Sequence, residues 1–183
     1  ANLVGARLDR ARLDGANLVG ARLDRARLDG ANLVGARLDR ARLDGANLDG
    51  ANLVDASLID ANLDGARLNG ARLIGVNLDK ANLGAGVPVI PDVHRVVYEA
   101  ASVPGALDME QWHCGTAHCR AGWIVTLAGE AGMHLEERMG TAAAAAAIYL
   151  ASDPHIGRMP DFYASNDEAL ADMQARARDG VQM

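Results

Sequence analysis

Leucine recurs at every fifth residue from Leu3 to Leu83, seventeen times without a break. The blocks read ANLVG, ARLDR, ARLDG and so on from Ala1 to Ala85. Alanine opens every block but one, where Val76 replaces it. The second residue is Asn, Arg or Ser, the fourth mostly Asp, Val or Ile, and the fifth mostly Gly or Arg. Neither an α-helix nor a flat strand sustains a period of five over such a length. A chain that turns a corner once per block does. Ala and Leu, two apart, then face inward, and the second and fourth residues face outward. The fifth lies near the corner, where glycine is useful. Four sides close a coil after twenty residues, and coils stack by backbone hydrogen bonds about 4.8 Å apart. Disorder would not hold one residue type so strictly in place.

The pattern A-(N/R)-L-x-(G/R) over residues 1–85 resembles the pentapeptide-repeat family. The resemblance implies a right-handed quadrilateral β-helix, an all-β solenoid. Composition changes where the pattern stops. Residues 1–85 hold eleven Arg, one Lys and eleven Asp, a balance of +1, whereas residues 86–183 hold six Arg against thirteen acids, a balance of −7. All six aromatic residues lie beyond residue 97. The expected division is a β-helix over 1–85 and a small α-helical domain over 86–183, with a Gly- and Pro-rich linker at about 84–91.

No stretch near residue 1 pairs a basic start with a continuous apolar run, so no signal peptide is expected. No run of about 18 apolar residues exists, so no membrane span is expected. Two cysteines make no extracellular disulfide framework. The expected setting is the cytoplasm.

Stacking residue n on n+20 gives outward columns. Arg7, Arg27, Asn47 and Arg67 stand beside Asp9, Asp29, Asp49 and Asn69. Flanking opposite charge should offset the repulsion of stacked like charges. The next face carries Asp14, Val34, Val54 and Ile74, and its apolar stripe of Val34, Val54 and Ile74 is the candidate interaction surface. Residues 1–15, 16–30 and 31–45 are identical. That unit is three sides of a four-sided coil, so each copy turns the rest of the chain by about 270°. A recognition ladder would be scrambled by such a duplication, which favours a spacer or stacking element.

Beyond Pro91 the periodicity becomes helical. Val93, Val96, Val97, Ala100 and Ala101 mark one face of a helix that stops at Pro104-Gly105. This helix could instead close the open end of the solenoid. A turn around Asp108 to Trp112 leads to a helix capped by Thr116, running through Leu127 to Gly129 or Gly132. Thr141 to Ala151 forms the next helix, with six consecutive alanines for close contact. Ser165 with Glu168 makes a capping box for a last helix ending before Gly180. His94, His134 and His155 read as isolated, and the acids at 167, 168, 172 and 179 as a solvated face.

The segment Trp112-His113-Cys114-Gly115-Thr116-Ala117-His118-Cys119-Arg120-Ala121-Gly122-Trp123 concentrates what reactive chemistry there is. It resembles a Cys-Gly-Thr…Cys-x-Ala-Gly motif in small helical modules attached to some bacterial and phage pentapeptide-repeat proteins, a resemblance that supplies no activity. His113, Cys114, His118 and Cys119 are candidate zinc ligands, at a spacing tighter than finger patterns. A cysteine near a helix start, with histidine beside it, could instead be a thiol nucleophile. The third reading has both cysteines packed as small apolar groups, close enough to cross-link. The residues support this last reading best, so no cofactor is expected, with zinc as the alternative. No phosphate loop, HExxH, GxSxG or nucleotide fingerprint is present.

The expectation is therefore a non-catalytic structural or interaction protein: a rigid rod carrying a helical module, self-associating through the solenoid end, the apolar stripe or the helical domain. Protein partners, a homo-oligomer included, are expected, and neither direct nucleic-acid nor membrane binding. The resemblance implies an alternative, since some pentapeptide-repeat proteins imitate duplex DNA and bind gyrase. Imitation needs a strongly negative shaft. This shaft carries +1.

Overall fold

The structure is a computed structural model. It describes the whole chain except residues 111–112, 115–116, 154–155, 157–158, 163 and 180–183, and the side chains of 113, 114, 117 and 179.

Parallel bridges join the second residue of each block to the second residue of the block twenty positions on, from Asn2↔Arg22 through Asn62↔Asn82. One coil is therefore four pentapeptides. Three backbone bonds per side tie coil to coil. The Leu3 N–H donates to the Arg22 carbonyl at 2.7 Å, the Gly5 N–H to the Asp24 carbonyl at 2.9 Å, and the Arg22 N–H back to the Ala1 carbonyl at 2.8 Å. The corner is a hydrogen-bonded turn in which the Ala6 N–H donates to the Leu3 carbonyl at 3.0 Å. Its third residue takes a positive φ, 64° at Gly5 and 58° at Arg10. A positive φ there is the mark of a type II turn.

The shaft contains isolated one-residue bridges rather than extended strands. The corner accounts for this departure from a conventional all-β solenoid. Turn geometry takes the fourth and fifth residues of each block, which leaves too short a straight run for a strand. The fourth N–H is often satisfied from within the block. The Asn32 side chain accepts from Val34 N–H at 3.3 Å, and Asn47 from Asp49 N–H at 3.0 Å. This is an Asx turn.

Alanine and leucine fill the interior as their spacing requires. Ala21, Leu23, Leu33, Leu43 and Leu53 are fully buried, while Leu3, Leu8, Leu13 and Leu18 in the first coil are half-buried. Each buried leucine contributes about 1.5–3 kcal/mol over an exposed one.

The rest of the chain forms α1 (Val93–Ala101), a hairpin of β1 (His113–Cys114) and β2 (Ala117–His118), α2 (Arg120–Leu127), α3 (Gly129–Met139), α4 (Thr141–Ser152) and α5 (Asn166–Asp179). α1 packs on α5 and α2, and α4 on α2 and α3. Ala142 through Ala147 are all buried, which allows α4 the close approach its sequence suggests. The capping box is present, with the Ser165 hydroxyl donating to Glu168 at 2.7 Å and the Ser165 N–H at 3.0 Å.

Two helix boundaries differ from the sequence expectation. The N-cap of α2 is Cys119, and Thr116 lies outside the described residues. Gly129, with φ 64°, ends α2 but opens a further helix, α3. Gly132 is no stop either. A Cβ there would lie 2.3 Å from the Val125 carbonyl oxygen, so its role is close contact between α2 and α3.

The top of the last coil is met by α4 and its flanks. Gly140, before α4, sits so near Asn69 that a Cβ would approach its Cα to 2.9 Å. Beyond α4, the Met159 N–H donates to the Val76 carbonyl at 3.2 Å, an acceptor a further coil would have used. These contacts bring the flanks of α4 to the solenoid edge.

Candidate functional site

On the shaft, the outward charges are bound more tightly than column reading suggests. Arginine meets the aspartate two residues on within its own coil at 3.6 Å for Arg27–Asp29 and 3.7 Å for Arg42–Asp44. It comes closer to the aspartate eighteen residues back, in the coil below, at 2.9 Å for Arg27–Asp9 and 2.8 Å for Arg42–Asp24. Arg67–Asp49, Ser57–Asp39 and Asn62–Asp44 repeat this diagonal. It was legible in principle, because a side chain that leans along its strand reaches over the neighbouring coil. Asp9 is held below the usual carboxylate range by a hydrogen bond with Asp29 and by Arg27. Burial pushes Asp24 up, but its backbone donor and Arg42 outweigh this and leave it lowered.

Val34, Val54 and Ile74 lie in one column, each half-buried. Within the shaft the more exposed valines are Val4 at 47% and Val19 at 41%, on other faces of the first coil.

In the hairpin, His113 pairs with His118 and Cys114 with Ala117. The side chains of His113 and Cys114 lie outside the described residues, as does Trp112. The His118 ring meets Trp123 edge-on at 4.8 Å, and Trp123 donates its Nε1–H to the Ala106 carbonyl at 2.8 Å. Cys119 is 1% exposed, and its Sγ accepts the Gly122 N–H at 3.3 Å. Burial raises its thiol above the ordinary value, and the N–H groups of Gly122 and Ala121 oppose this only in part. A nucleophilic cysteine needs the opposite shift. The structure thus brings Cys119 to a buried capping role, consistent with the packed reading. Among the described residues, no group of three or more His, Cys, Asp or Glu could hold a metal ion.

The helical domain has a polar centre that sequence reading missed. Arg120, beside Cys119, is 1% exposed. Its Nε donates to the Tyr149 hydroxyl at 3.1 Å, its Nη1 bonds Asp172, and its guanidinium carbon lies 5.5 Å from the centre of the Tyr149 ring. Burial alone would lower its proton affinity, but Tyr149 and Asp172 raise it. Burial likewise raises Asp172, and Arg120 and Arg176 reverse the direction. Asp172, whose side chain is 43% exposed, is therefore the counter-ion of Arg120 and Arg176 at the edge of the solvated face. Nor is His94 isolated. It stacks on Tyr149 at 5.4 Å and shares a hydrogen bond of 2.9 Å with Asp153, joining α1 to the end of α4. His134 is exposed, 3.6 Å from Glu137, and His155 lies outside the described residues. The available sequence signal was one arginine set among Ala121, Ile124 and Val125, because a charge inside an apolar helix face calls for a buried partner.

Comparison with known proteins concerns the shaft. A family model for pentapeptide repeats matches in eight copies over residues 1–30, 21–58 and 51–84. A pentapeptide repeat protein from the Arabidopsis thaliana thylakoid lumen is 32% identical over 54% of this chain and 71% of its own, with a TM-score of 0.39. The pentapeptide repeat protein Rfr23 from the cyanobacterium Cyanothece 51142 is 44% identical over 43% of this chain and 57% of its own, with a TM-score of 0.24. QnrB1, a plasmid-mediated fluoroquinolone resistance protein, is 24% identical over 50% of this chain and 58% of its own, with a TM-score of 0.22. The chain thus spans less than two thirds of the last two. No curated protein matches it. By its repeats, the chain belongs to the pentapeptide-repeat family.

Proposed function

We propose that this protein is a non-catalytic structural or interaction protein, a right-handed β-helical rod over residues 1–85 that carries a helical module over 86–183. The diagonal pairing of arginine with the aspartate one coil below carries this reading. It ties Arg27, Arg42 and Arg67 to acids of the coil below, and with a balance of only +1 over residues 1–85 the rod offers partners shape and small apolar patches rather than net charge. Self-association follows as its mode of action, through the solenoid end, the stripe of Val34, Val54 and Ile74, or the helical module. We place the protein in the cytoplasm; among the described residues no helix is long and apolar enough to cross a membrane.

Light scattering across a concentration series tests the proposal. The expected mass rises above the 19.2 kDa of one chain. A strict monomer at the highest concentration would remove self-association from it.

Imitation of DNA toward gyrase is the second reading, raised by the family alone. Paired arginines on the shaft speak against it, because a basic groove needs unneutralised acid to bind. A supercoiling assay should show no inhibition by this protein at micromolar concentration. Zinc or thiol chemistry through His113, Cys114, His118 and Cys119 is less supported, because the Cys119 sulfur already serves the Gly122 N–H. Elemental analysis showing one equivalent of zinc, lost in Cys119→Ser, would reverse that ranking.

A further inference from the structure

Below the last coil, each side of the shaft is tied to the coil above. The Asp60 N–H donates to the Asp79 carbonyl at 2.9 Å, the Leu63 N–H to the Asn82 carbonyl at 2.7 Å, and the Ala61 carbonyl accepts the Asn82 N–H at 2.8 Å. In the last coil the same three groups, Lys80 N–H, Leu83 N–H and Ala81 C=O, have no partner among the described residues. They repeat the direction of their counterparts below, toward the helical module. Between them and α4 opens a groove of about 580 Å³, walled by Val87 and by Ala147, Leu150 and Ala151 of α4, with Lys80, Ala81 and Leu83 on its other side. Donor, acceptor and donor in alternation along one edge, beside an apolar wall, are what an added strand requires. We propose that this groove binds an extended segment of a partner protein as an added strand, with a small apolar and an aliphatic residue two apart.

The same edge already takes chain in this way. One side earlier, the Val76 carbonyl accepts the N–H of Met159, from a non-helical stretch beyond α4. The groove continues that contact onto the next side. Because Gly140 and Met159 occupy the edge over Asn69 and Val76, a whole coil of a second copy has no room to stack, whereas a single strand fits. One coil down, Ala61 and Leu63 lie buried beneath Ala81 and Leu83. A strand in the same register sets its small residue over Ala81 and its aliphatic one over Leu83, against the apolar side of α4. Asp79 and Lys80 on the rim pair with each other at 3.9 Å, so backbone and apolar contact choose the partner rather than charge. The inference rests on the reading of the chain as an interaction protein, and not on self-association.

Amide hydrogen exchange of the full chain, with and without an end-blocked peptide of the sequence of residues 61–70, ANLDGARLNG, tests it. In the free protein the Lys80 and Leu83 amides should exchange faster than those of Asp60 and Leu63. Saturating peptide should slow Lys80 and Leu83 by about tenfold or more. A counterpart peptide with both leucines replaced by serine should leave them unchanged. Ala151→Arg places a long side chain over the groove from a half-buried position, and should weaken peptide binding by about tenfold or more. Val87→Arg, outside every helix, should do the same and decides the matter if Ala151→Arg does not fold. No saturable binding, binding that leaves Lys80 and Leu83 unprotected, or binding unchanged in Val87→Arg would each overturn the proposal. So would protection of these amides that grows with protein concentration without peptide, which gives the groove to a second copy. Light scattering judges self-association separately, so the failure of either claim is read apart from the other.

Discussion

Six corners of the shaft carry a side chain on a left-handed backbone: Arg10, Arg25, Arg40, Asp55, Asp60 and Lys80, with φ between 55° and 58°. Each costs about 1–2 kcal/mol relative to a right-handed residue. The neighbouring coil shows how they fit. The Arg10 side chain lies over Gly30 and that of Arg25 over Gly45, while Asp55 reaches Gly75, so glycine faces the bulky residue. One corner column breaks that alternation and uses charge instead, with Arg40 3.7 Å from Asp60. Arg25→Gly should therefore raise stability by about 0.5–1 kcal/mol, the relief of strain less the extra freedom glycine has when unfolded. Gly75→Ala should lower it by about 2 kcal/mol, since the new Cβ would lie 2.3 Å from the Asp55 Oδ1. Urea midpoints at constant slope measure both. At Cys119, the buried and raised thiol predicts chemical silence. In a Cys114→Ser background, an aromatic disulfide reagent at pH 8 should react with Cys119 no faster than the protein opens. Prompt release of one equivalent would contradict the capping role.

At the scale of the element, the coil was legible and the helical module only in outline. A period of five fixes which residues enter the core because a slip of one residue would turn leucine out of every later coil. Ala142 to Ala147 and the Ser165–Glu168 box were equally plain. What stayed hidden depends on contacts distant in sequence. Arg120 finds Tyr149 and Asp172 across 29 and 52 residues, and no local spacing encodes such a meeting. α3 was missed because Gly129 and Gly132 serve turn and contact, and composition cannot separate these from a stop. The diagonal ties make their own prediction. Asp9 and Asp24 have lowered carboxyls, so their stabilisation is complete above the unfolded value near 3.9 and is lost as pH falls through the folded values. Thermal melts should hold from pH 7 to 5 and drop below about pH 4. In Arg42→Ala with Asp24→Ala, a double-mutant cycle should give a favourable coupling that shrinks in high salt. A coupling of zero at low salt would make the 2.8 Å contact ornamental.

For the whole molecule, stability should follow the sum of coil and neighbour terms, as in other solenoids. Deleting residues 16–30 removes one of three identical units and leaves alanine and leucine in phase. The shortened chain should still melt cooperatively, at a lower temperature, and scattering should show a rod shorter by about 3.6 Å, three quarters of a coil step. Loss of cooperative melting would mean that the count of coils, rather than their phase, holds the shaft together. The same mismatch of unit and coil shapes what the outside world meets. Val4, Val19 and Val34 are one residue of the unit in three copies, yet the n to n+20 stacking sets them on three different sides. Like motifs follow one another as the thread of a screw does. A partner that grips them must wrap the shaft, and one lying along it would find a new texture at every level.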